Sequence, residues 1–242
     1  MALCLLVRHG RTEANATGVL AGWTPGLGLD ATGRDQAAAV AARLADTGVV
    51  TVVASPLQRC QETAQALVGG IPAAVRPAVH TDERLGEARY GAWTGRALTE
   101  LAHEPLWRQV QDRPSTVTFP SHDEHEHESM AGMQARAVAA VREWDARTEA
   151  EHGAGAVWVA VSHGDVIKAV LAEALATPLD EFQRIVVDPA SVSIVHRTPE
   201  RPFVLRTNDT GAGPVDLSAL RTQLAKRGAS GDAAVGGGAG AT

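Results

Sequence analysis

The stretch LLVRHGRTE, residues 5–13, changes abruptly from apolar to charged side chains. The apolar run over residues 2–7 is typical of a buried strand, and His9 follows it between Arg8 and Gly10. Because open α/β sheets bind ligands at the carboxyl ends of their strands, the pattern predicts an anion, phosphate first of all, held against the imidazole. Gly10 has no side chain, which we expect to let the backbone turn sharply and the ligand come close. Taken alone, a strand that ends in a basic loop is also common on ordinary protein surfaces.

The composition is that of an acidic chain with one main domain. Its 242 residues suffice for one sizeable core, and the net charge of -6 argues against a nucleic-acid surface. Cys4 and Cys60 form no disulfide-dense pattern and are expected to be buried thiols in a reducing compartment. No apolar run reaches the roughly 18 residues of a membrane span, and the N-terminal run is too short for a signal peptide. We therefore expect a cytoplasmic protein without nucleic-acid or membrane partners.

A second strand is predicted over residues 49–54, and a helix follows it at once. Ser55 would cap this helix, with Pro56 at its first helical position. Arg59 then lies in the first turn, where the helix macrodipole disfavours a cation unless an anion binds there. The alternatives for Arg59 are that it points into water or meets an acidic partner.

The middle of the chain is less regular. Residues 82–95 mix charged side chains with two aromatics and three glycines, a composition typical of a loop over a site, and Glu87 is its candidate acidic group. Helical pieces over 99–112 and a proline-bounded segment to residue 120 predict a cap over the sheet. The following run, HDEHEHE at 122–128, could bind zinc or nickel. Without a distant second ligand set, we interpret it as a solvated charged loop that holds no metal.

The opening pattern occurs a second time. A long helix is predicted over residues 129–151, and the apolar strand 156–161 after it ends in Ser162-His163-Gly164-Asp165 before another helix. This repeats the order strand, histidine, glycine, helix. Further predicted elements are short strands at 184–187, 191–197 and 201–206, a short helix at 215–226, and a disordered Ala-Gly-rich end from about 228 to 242.

Strands that alternate with helices predict a three-layer α/β/α sandwich around a mostly parallel sheet. The main domain would span residues 1–210, with a cap insertion at about 89–128 and a C-terminal extension over 211–242. Parallel strands bring their carboxyl ends to one edge of the sheet. The side chains expected to converge at that edge are Arg8, His9, Arg59 and His163.

In four separated motifs the chain resembles the histidine phosphatase superfamily, also called the phosphoglycerate mutase-like family. The likeness covers about residues 3–206. The motifs, in chain order, are RHGRT at 8–12 with Asn15, SPLQR at 55–59, LGE at 85–87 followed by YGAWTG at 90–95, and VSHGD at 161–165. The chain departs from the family where many members have Gly-Glu-Ser, since it has His127-Glu128-Ser129, and where they have Trp-Glu-Gly, since it has Trp93-Thr94-Gly95.

The resemblance implies a role for each of five catalytic residues. His9 would be the nucleophile that becomes a phosphohistidine, and Glu87 would be the proton donor, its pKa raised by the neighbouring phosphate. Arg8, Arg59 and His163 would hold the phosphoryl oxygens, and fixed cations of this kind supply most of the catalysis of phosphoryl transfer. No metal or cofactor is then required. The implied substrate-binding residues are Arg8, Asn15, Gly22, Arg59, Arg89, Tyr90, His163 and Gly164.

Two classes of function remain, an enzyme and a non-catalytic phospholigand-binding protein. The complete catalytic set favours an enzyme that hydrolyses a small phosphorylated metabolite, with a phosphomutase as the alternative. Mutases of the family carry an Arg-Arg pair in the insertion and an Asn after the second His-Gly, whereas this chain has isolated Arg108 and Arg113, and Asp165. The substrate and the oligomeric state, for which a homodimer is one option, stay open.

Overall fold

A six-stranded sheet forms the centre of the fold. The computed structural model describes residues 2–211 and 235–236. The strands are β1 (Leu3–Arg8), β2 (Val49–Ala54), β3 (Val79–Thr81), β4 (Val157–Ser162), β5 (Val192–Arg197) and β6 (Pro202–Asp209). They lie in the order β3-β2-β4-β1-β5-β6. The pairs β3-β2, β2-β4 and β4-β1 are parallel, whereas β5 is antiparallel to both β1 and β6.

Helices cover both faces of the sheet. The α-helices are α1 (Glu13–Thr17), α2 (Ala31–Leu44), α3 (Gln58–Gly69), α4 (Leu98–Leu101), α5 (Pro105–Asp112), α6 (Met130–His152) and α7 (Gly164–Ala174). Side chains of β4 alternate between two apolar clusters: Val159 and Val161 pack with α2 and α3, whereas Trp158 and Ala160 pack with α6 and α7. This period of two is what a strand buried on both faces produces. The predicted three-layer α/β/α sandwich with a mostly parallel sheet is confirmed.

The register of β1 and β4 positions the two histidines. Arg8 is paired with Ser162, so His9 and His163 leave neighbouring parallel strands at the same level of the sheet. The backbone N–H of His9 donates to the carbonyl of Ser162 at 3.0 Å, which extends the pairing by one residue. The sheet itself therefore sets the distance between the two imidazoles.

The segment above this edge is held by aromatic packing. The rings of Trp93, Trp107 and Phe119 pack on one another, with Trp93 5.7 Å from Phe119 and 6.2 Å from Trp107 between ring centroids. The helices α4 and α5 lie in this segment, where the sequence predicts helical pieces over 99–112. All three rings are at most 6% exposed, so they join the predicted cap to the core.

Two elements differ from the sequence predictions. The strand predicted at 184–187 is absent: residues Leu179–Arg184 form a 3-10 helix, and the segment after it is irregular because the Val187 carbonyl accepts from the Arg8 side chain and not from a neighbouring strand. The helix predicted to be capped by Ser55 has Leu57 as its N-cap. The backbone N–H of Ser55 still donates to Val161 of β4, which continues the sheet past β2 and delays the helix.

Both cysteines are free and buried, as predicted. Among the described residues, no helix combines the length and the apolar composition that crossing a bilayer requires. The cytoplasmic location stays a prediction. The helix predicted at 215–226 and most of the disordered end lie outside the described residues, which include only Val235 and Gly236 of that end.

Candidate active site

His9 lies immediately after β1 with its ring enclosed by protein, 2% exposed. Its Nδ1 is 2.7 Å from the carbonyl oxygen of Gly10. A carbonyl can only accept, so Nδ1 carries the proton and Nε2 keeps its lone pair. Burial first, and then the charges of Arg59 and Arg8, hold the pKa of His9 well below its usual range. The imidazole is therefore neutral at physiological pH and can act as a nucleophile.

Gly10 allows the loop after β1 to pack closely against α2. A Cβ at Gly10 would lie 2.4 Å from the carbonyl oxygen of Gly33 in α2, so the loop after β1 approaches that helix more closely than any side chain permits. The N–H of Gly10 donates to Thr63 Oγ1 of α3 at 3.1 Å. The sequence interpretation attributed the glycine to ligand approach, whereas in the structure the close neighbour is backbone.

Two buried guanidinium groups flank the imidazole. Arg8 is 0% exposed and donates to the carbonyl of Val187 at 2.8 Å. Arg59, in the first turn of α3 as predicted, is 2% exposed and donates from Nη2 to the carbonyl of Gly22 at 2.9 Å. Its Nη1 has no hydrogen-bond acceptor among the described residues. A buried donor of a charged group left without an acceptor is costly, and a bound anion would supply one.

His163 follows β4, which lies between β1 and β2 in the sheet, and it is 0% exposed. Its ring is 5.2 Å from that of His9, edge to face at 61°. Nδ1 is 3.3 Å from Arg59 Nη2, and Nε2 is 2.8 Å from Ser55 Oγ. Because the guanidinium can only donate, Nδ1 is the acceptor and Nε2–H donates to Ser55. Burial, followed by the charge of Arg59, lowers the pKa of His163 well below its usual range, so this ring is also neutral.

Glu87 is the buried acidic group of the site, 4% exposed. Burial first, and then the negative charge of Asp165, raise its pKa to about 7, although Arg59 and Arg8 act in the opposite direction. Its Oε1 accepts from the N–H of Ala88 at 2.9 Å. A carboxyl group with this pKa is protonated in a large fraction of molecules at neutral pH. It can therefore donate a proton to a leaving oxygen.

The loop that carries Glu87 is fixed from two sides. Trp23 Nε1 donates to the carbonyl of Glu87 at 2.6 Å, and Arg136 of α6 donates to the carbonyls of Gly86 and Glu87 at 2.9 and 3.0 Å. A Cβ at Gly86 would lie 2.3 Å from the Trp23 ring, so only glycine allows this contact. These partners hold the carboxyl in place although it lies outside the regular elements.

Most of the residues singled out from the sequence meet around one small cavity, with a free volume of about 30 Å³. The predicted site residues that line it are His9, Asn15, Gly22, Arg59, Glu87 and Tyr90. His163 contacts this set from behind, through Arg59 and the ring of His9, whereas Arg8 acts on His9 and Glu87 through its charge. Gly164 is the first residue of α7, following His163. Asn15 serves α1 as well, since its Oδ1 accepts from the N–H of Thr12 at 3.1 Å.

Arg89 points elsewhere. Its guanidinium carbon stacks 4.5 Å from the centre of the Trp23 ring, and its Nη1 forms an ion pair with Glu126. It lines a separate pocket of about 430 Å³ together with Trp23, Thr94 and residues 124–126. Of the implied substrate-binding residues, Arg89 therefore lies apart from the catalytic cavity.

The positions at which the chain departs from the family motif have structural contacts. Ser129 is the N-cap of α6, its Oγ accepting from the N–H of Gly132. Glu128 binds Arg136 through both carboxylate oxygens at 2.6 and 2.9 Å and accepts from the N–H of Arg89. These contacts tie the end of the predicted cap and the start of α6 to the loop of Glu87.

The histidine-rich run at 122–128 lies in the predicted cap. His122 and His125 stack with ring centroids 4.9 Å apart. Within residues 2–211 and 235–236, no three side chains of the metal-binding types are grouped so as to hold an ion. The absence of a functional metal stays a prediction.

Three contacts of the site were missed by reasoning from sequence. Ser55 was assigned to a helix cap, but it accepts from His163. Arg136 gave no signal, because an arginine on a long amphipathic helix is ordinary. Asp165 was interpreted as an acidic residue near the mouth of the site or at a helix start, but its effect on Glu87 was not foreseen: it is 0% exposed and, after burial, is the second cause that raises the pKa of Glu87.

Comparison with known proteins identifies related chains. The model of the histidine phosphatase superfamily (branch 1) matches residues 4–210. A glucosyl-3-phosphoglycerate phosphatase of Mycolicibacterium vanbaalenii is 30% identical over 182 residues, 74% of this chain and 76% of that protein. A probable phosphoglycerate mutase of Yersinia enterocolitica is 32% identical over 192 residues, 78% of this chain and 82% of that protein. An uncharacterized protein of Mycobacterium tuberculosis is 53% identical over 85 residues, but the match spans only 39% of its length and 34% of this chain.

The same fold occurs in solved structures. The mycobacterial glucosyl-3-phosphoglycerate phosphatase complexed with VO3 superposes with a TM-score of 0.73. It is 25% identical, and the superposition covers 86% of this chain and 98% of that one.

Proposed function

Because this chain belongs to the histidine phosphatase superfamily (branch 1), we propose that it is a phosphatase that hydrolyses a small phosphorylated metabolite through a phosphohistidine on His9. One observation carries the proposal. A neutral His9 with an unprotonated Nε2 lines the same small cavity as a carboxyl group of raised pKa, Glu87, and a guanidinium, Arg59, whose Nη1 has no acceptor in the part of the chain that the structure describes. Nucleophile, acid and anion-binding group therefore surround one space.

The first half of the reaction transfers the phosphoryl group to the enzyme. Nε2 of His9 attacks phosphorus, the bond from phosphorus to the leaving oxygen breaks, and Glu87 gives its proton to that oxygen. The charge on the equatorial oxygens is met by the fixed guanidinium of Arg59 in the cavity wall, and the buried charge of Arg8 behind the cavity adds to the positive field. Fixed guanidinium charges can supply this stabilisation without a metal ion, and the enzyme is proposed to be metal-independent.

The second half returns the enzyme to its starting state. Water attacks the phosphohistidine, and the carboxylate of Glu87 takes a proton from that water as the bond between phosphorus and Nε2 breaks. Inorganic phosphate leaves, while His9 is again neutral and Glu87 protonated. The pKa of about 7 suits both directions of transfer.

Hydrolysis is favoured over the mutase reaction by the charge near the cavity. A mutase must retain an intermediate with two phosphate groups during the reaction. Asp165 is buried next to Glu87, and its negative charge would repel such an intermediate. The phosphomutase remains the second candidate, supported by the similarity to the probable mutase of Yersinia enterocolitica.

Two measurements test the proposal. A panel of phosphorylated sugars, glycerates and nucleotides is assayed for phosphate release, and rapid quench with the labelled best substrate should trap an acid-labile, base-stable adduct. Incubation with 3-phosphoglycerate and a trace of 2,3-bisphosphoglycerate decides between the two reactions. Isomerisation of 3-phosphoglycerate faster than phosphate release would show that the protein is a mutase and not a phosphatase. If no substrate of the panel released phosphate, the assignment as a phosphatase would be contradicted.

A further inference from the structure

Val235 and Gly236, far along the chain from every catalytic motif, lie against the catalytic cavity. Both line it together with His9 and Arg59. Val235 is 1% exposed and belongs to the same apolar cluster as Leu20. The dipeptide is therefore a wall of the site, although neither residue belongs to a family motif.

A buried carboxylate anchors this wall. The N–H of Gly236 donates to Asp165 Oδ2 at 2.7 Å, a charge-assisted bond. The same oxygen is 3.3 Å from the hydroxyl of Tyr90, and Lys168 lies 3.3 Å from the other carboxylate oxygen. Asp165 thus connects the dipeptide to α7 and to the loop that carries Glu87.

The position of Gly236 requires glycine. Its φ of +75° lies in the left-handed region, and a Cβ would stand 2.8 Å from Leu20 Cδ1. Any other residue there would adopt a strained backbone conformation, and its Cβ would displace the end of the Leu20 side chain.

The seated dipeptide leaves little room for a substrate. The free volume of about 30 Å³ holds about two water molecules. A phosphate group alone has five heavy atoms, and the rest of a phosphomonoester must follow it through the same opening. Entry of a substrate therefore requires part of the lining to move.

We propose that Val235–Gly236 is an occluding segment that competes with the phosphorylated substrate for the catalytic cavity, with Asp165 as its docking point. The proposal rests on the proposed function for the identity of the ligand, a phosphate monoester. If the occluding segment and the ligand exclude each other, the ligand binds only those molecules in which the segment has left the cavity. The apparent dissociation constant of the ligand then equals its intrinsic dissociation constant divided by the fraction of such molecules. Weakening the seat must then tighten phosphate binding.

The test measures orthovanadate binding by calorimetry in the full-length chain. Gly236→Val disfavours the left-handed backbone conformation of the segment, and Val235→Ser removes its apolar contact. Each variant should tighten orthovanadate binding by about three- to tenfold. Gly240→Val, the same substitution four residues further on, is the matched control and should bind as the wild type does. Unchanged or weaker binding in both seat variants would overturn the proposal, because a segment that closes over a bound ligand would show weaker binding.

Kinetics and hydrogen exchange provide independent readouts. With p-nitrophenyl phosphate, the seat variants should lower KM by the same factor at unchanged kcat, since the segment is displaced in every enzyme–substrate complex. Saturating vanadate should speed amide exchange at Gly236 in the wild type, and slower exchange would contradict competition. If no variant hydrolyses any phosphomonoester, the phosphatase proposal fails, while the vanadate titration still decides whether the segment occludes the cavity.

Discussion

Oε2 of Glu87 lies 3.7 Å from Nδ1 of His163, and neither side chain is more than 5% exposed. A buried acid and a buried base this close would ordinarily form an ion pair. Here the directions of both pKa shifts oppose it, because burial raises the pKa of the carboxyl and lowers that of the imidazole. Nδ1 already faces the guanidinium of Arg59. The proton therefore stays on Glu87, where a leaving group can take it.

Replacing the proposed nucleophile should abolish the covalent intermediate. His9→Ala should lower kcat by at least about 10³-fold and yield no acid-labile adduct in rapid quench. The exposed His103→Ala is the matched control and should keep both activity and adduct. An adduct that persists in His9→Ala would assign the nucleophile to another side chain.

Removing the acidic proton should affect substrates according to their leaving group. Glu87→Gln should slow alkyl phosphates by about 10²- to 10⁴-fold and aryl phosphates much less, because a phenolate leaves without protonation. Glu83→Gln, an exposed neighbour, serves as the control and should not discriminate. Equal losses on both substrate types would mean that Glu87 shapes the cavity without donating a proton.

The pH profile should report the pKa of Glu87. For an alkyl phosphate, kcat/KM should fall as the pH rises through about 7, because the donor loses its proton. Burial and then the negative charge of Asp165 raise this pKa, so Asp165→Asn should move the alkaline limb part of the way to lower pH. A limb that stays in place or moves to higher pH would exclude Asp165 as the source of the shift.

Stability should depend on pH through a different buried acid. Asp145 is 1% exposed and accepts from Trp158 Nε1 at 2.6 Å, yet burial raises its pKa to about 6. A raised folded-state pKa gives stability that is fully present below the unfolded value of about 4 and is lost as the pH rises through 6. Urea unfolding between pH 4 and 7 should show this loss, on the order of 3 kcal/mol for Asp145, as the difference between the pH dependence of the wild type and that of Asp145→Asn.

Asp145→Asn should remove the share of the pH dependence that Asp145 supplies, whatever its effect on absolute stability, while Glu87, whose pKa is also raised, keeps contributing in that window. The exposed Asp46→Asn should retain it. Identical pH slopes for Asp145→Asn and the wild type would assign the effect to other groups.

Chelation should leave the activity intact. Treatment with EDTA followed by gel filtration is expected to change neither kcat nor KM, since the proposed chemistry uses the charges of Arg8 and Arg59. His125→Ala should likewise change neither kcat nor KM. A loss of activity that zinc restores would instead assign a functional ion to the run at 122–128.

Local sequence determined the elements and the identity of the reactive groups. Alternating or continuous apolar runs mark β1, β2 and β4, and a change to charge at their ends marks His9, Arg59 and His163, since buried strands must end where polar groups begin. The parallel arrangement then follows from alternating strands and helices. These features depend on the order of nearby residues, which the sequence contains directly.

The tertiary structure decided which side chains share the cavity. Ser55 orients His163 across 108 positions of sequence, Arg89 turns away to stack on Trp23, and Gly236 reaches Asp165 from 71 positions further along the chain. The antiparallel pairing of β5 and β6 likewise comes from long-range contacts. Such contacts arise only when separate elements pack, because the direction of a side chain depends on neighbours that are distant in the sequence.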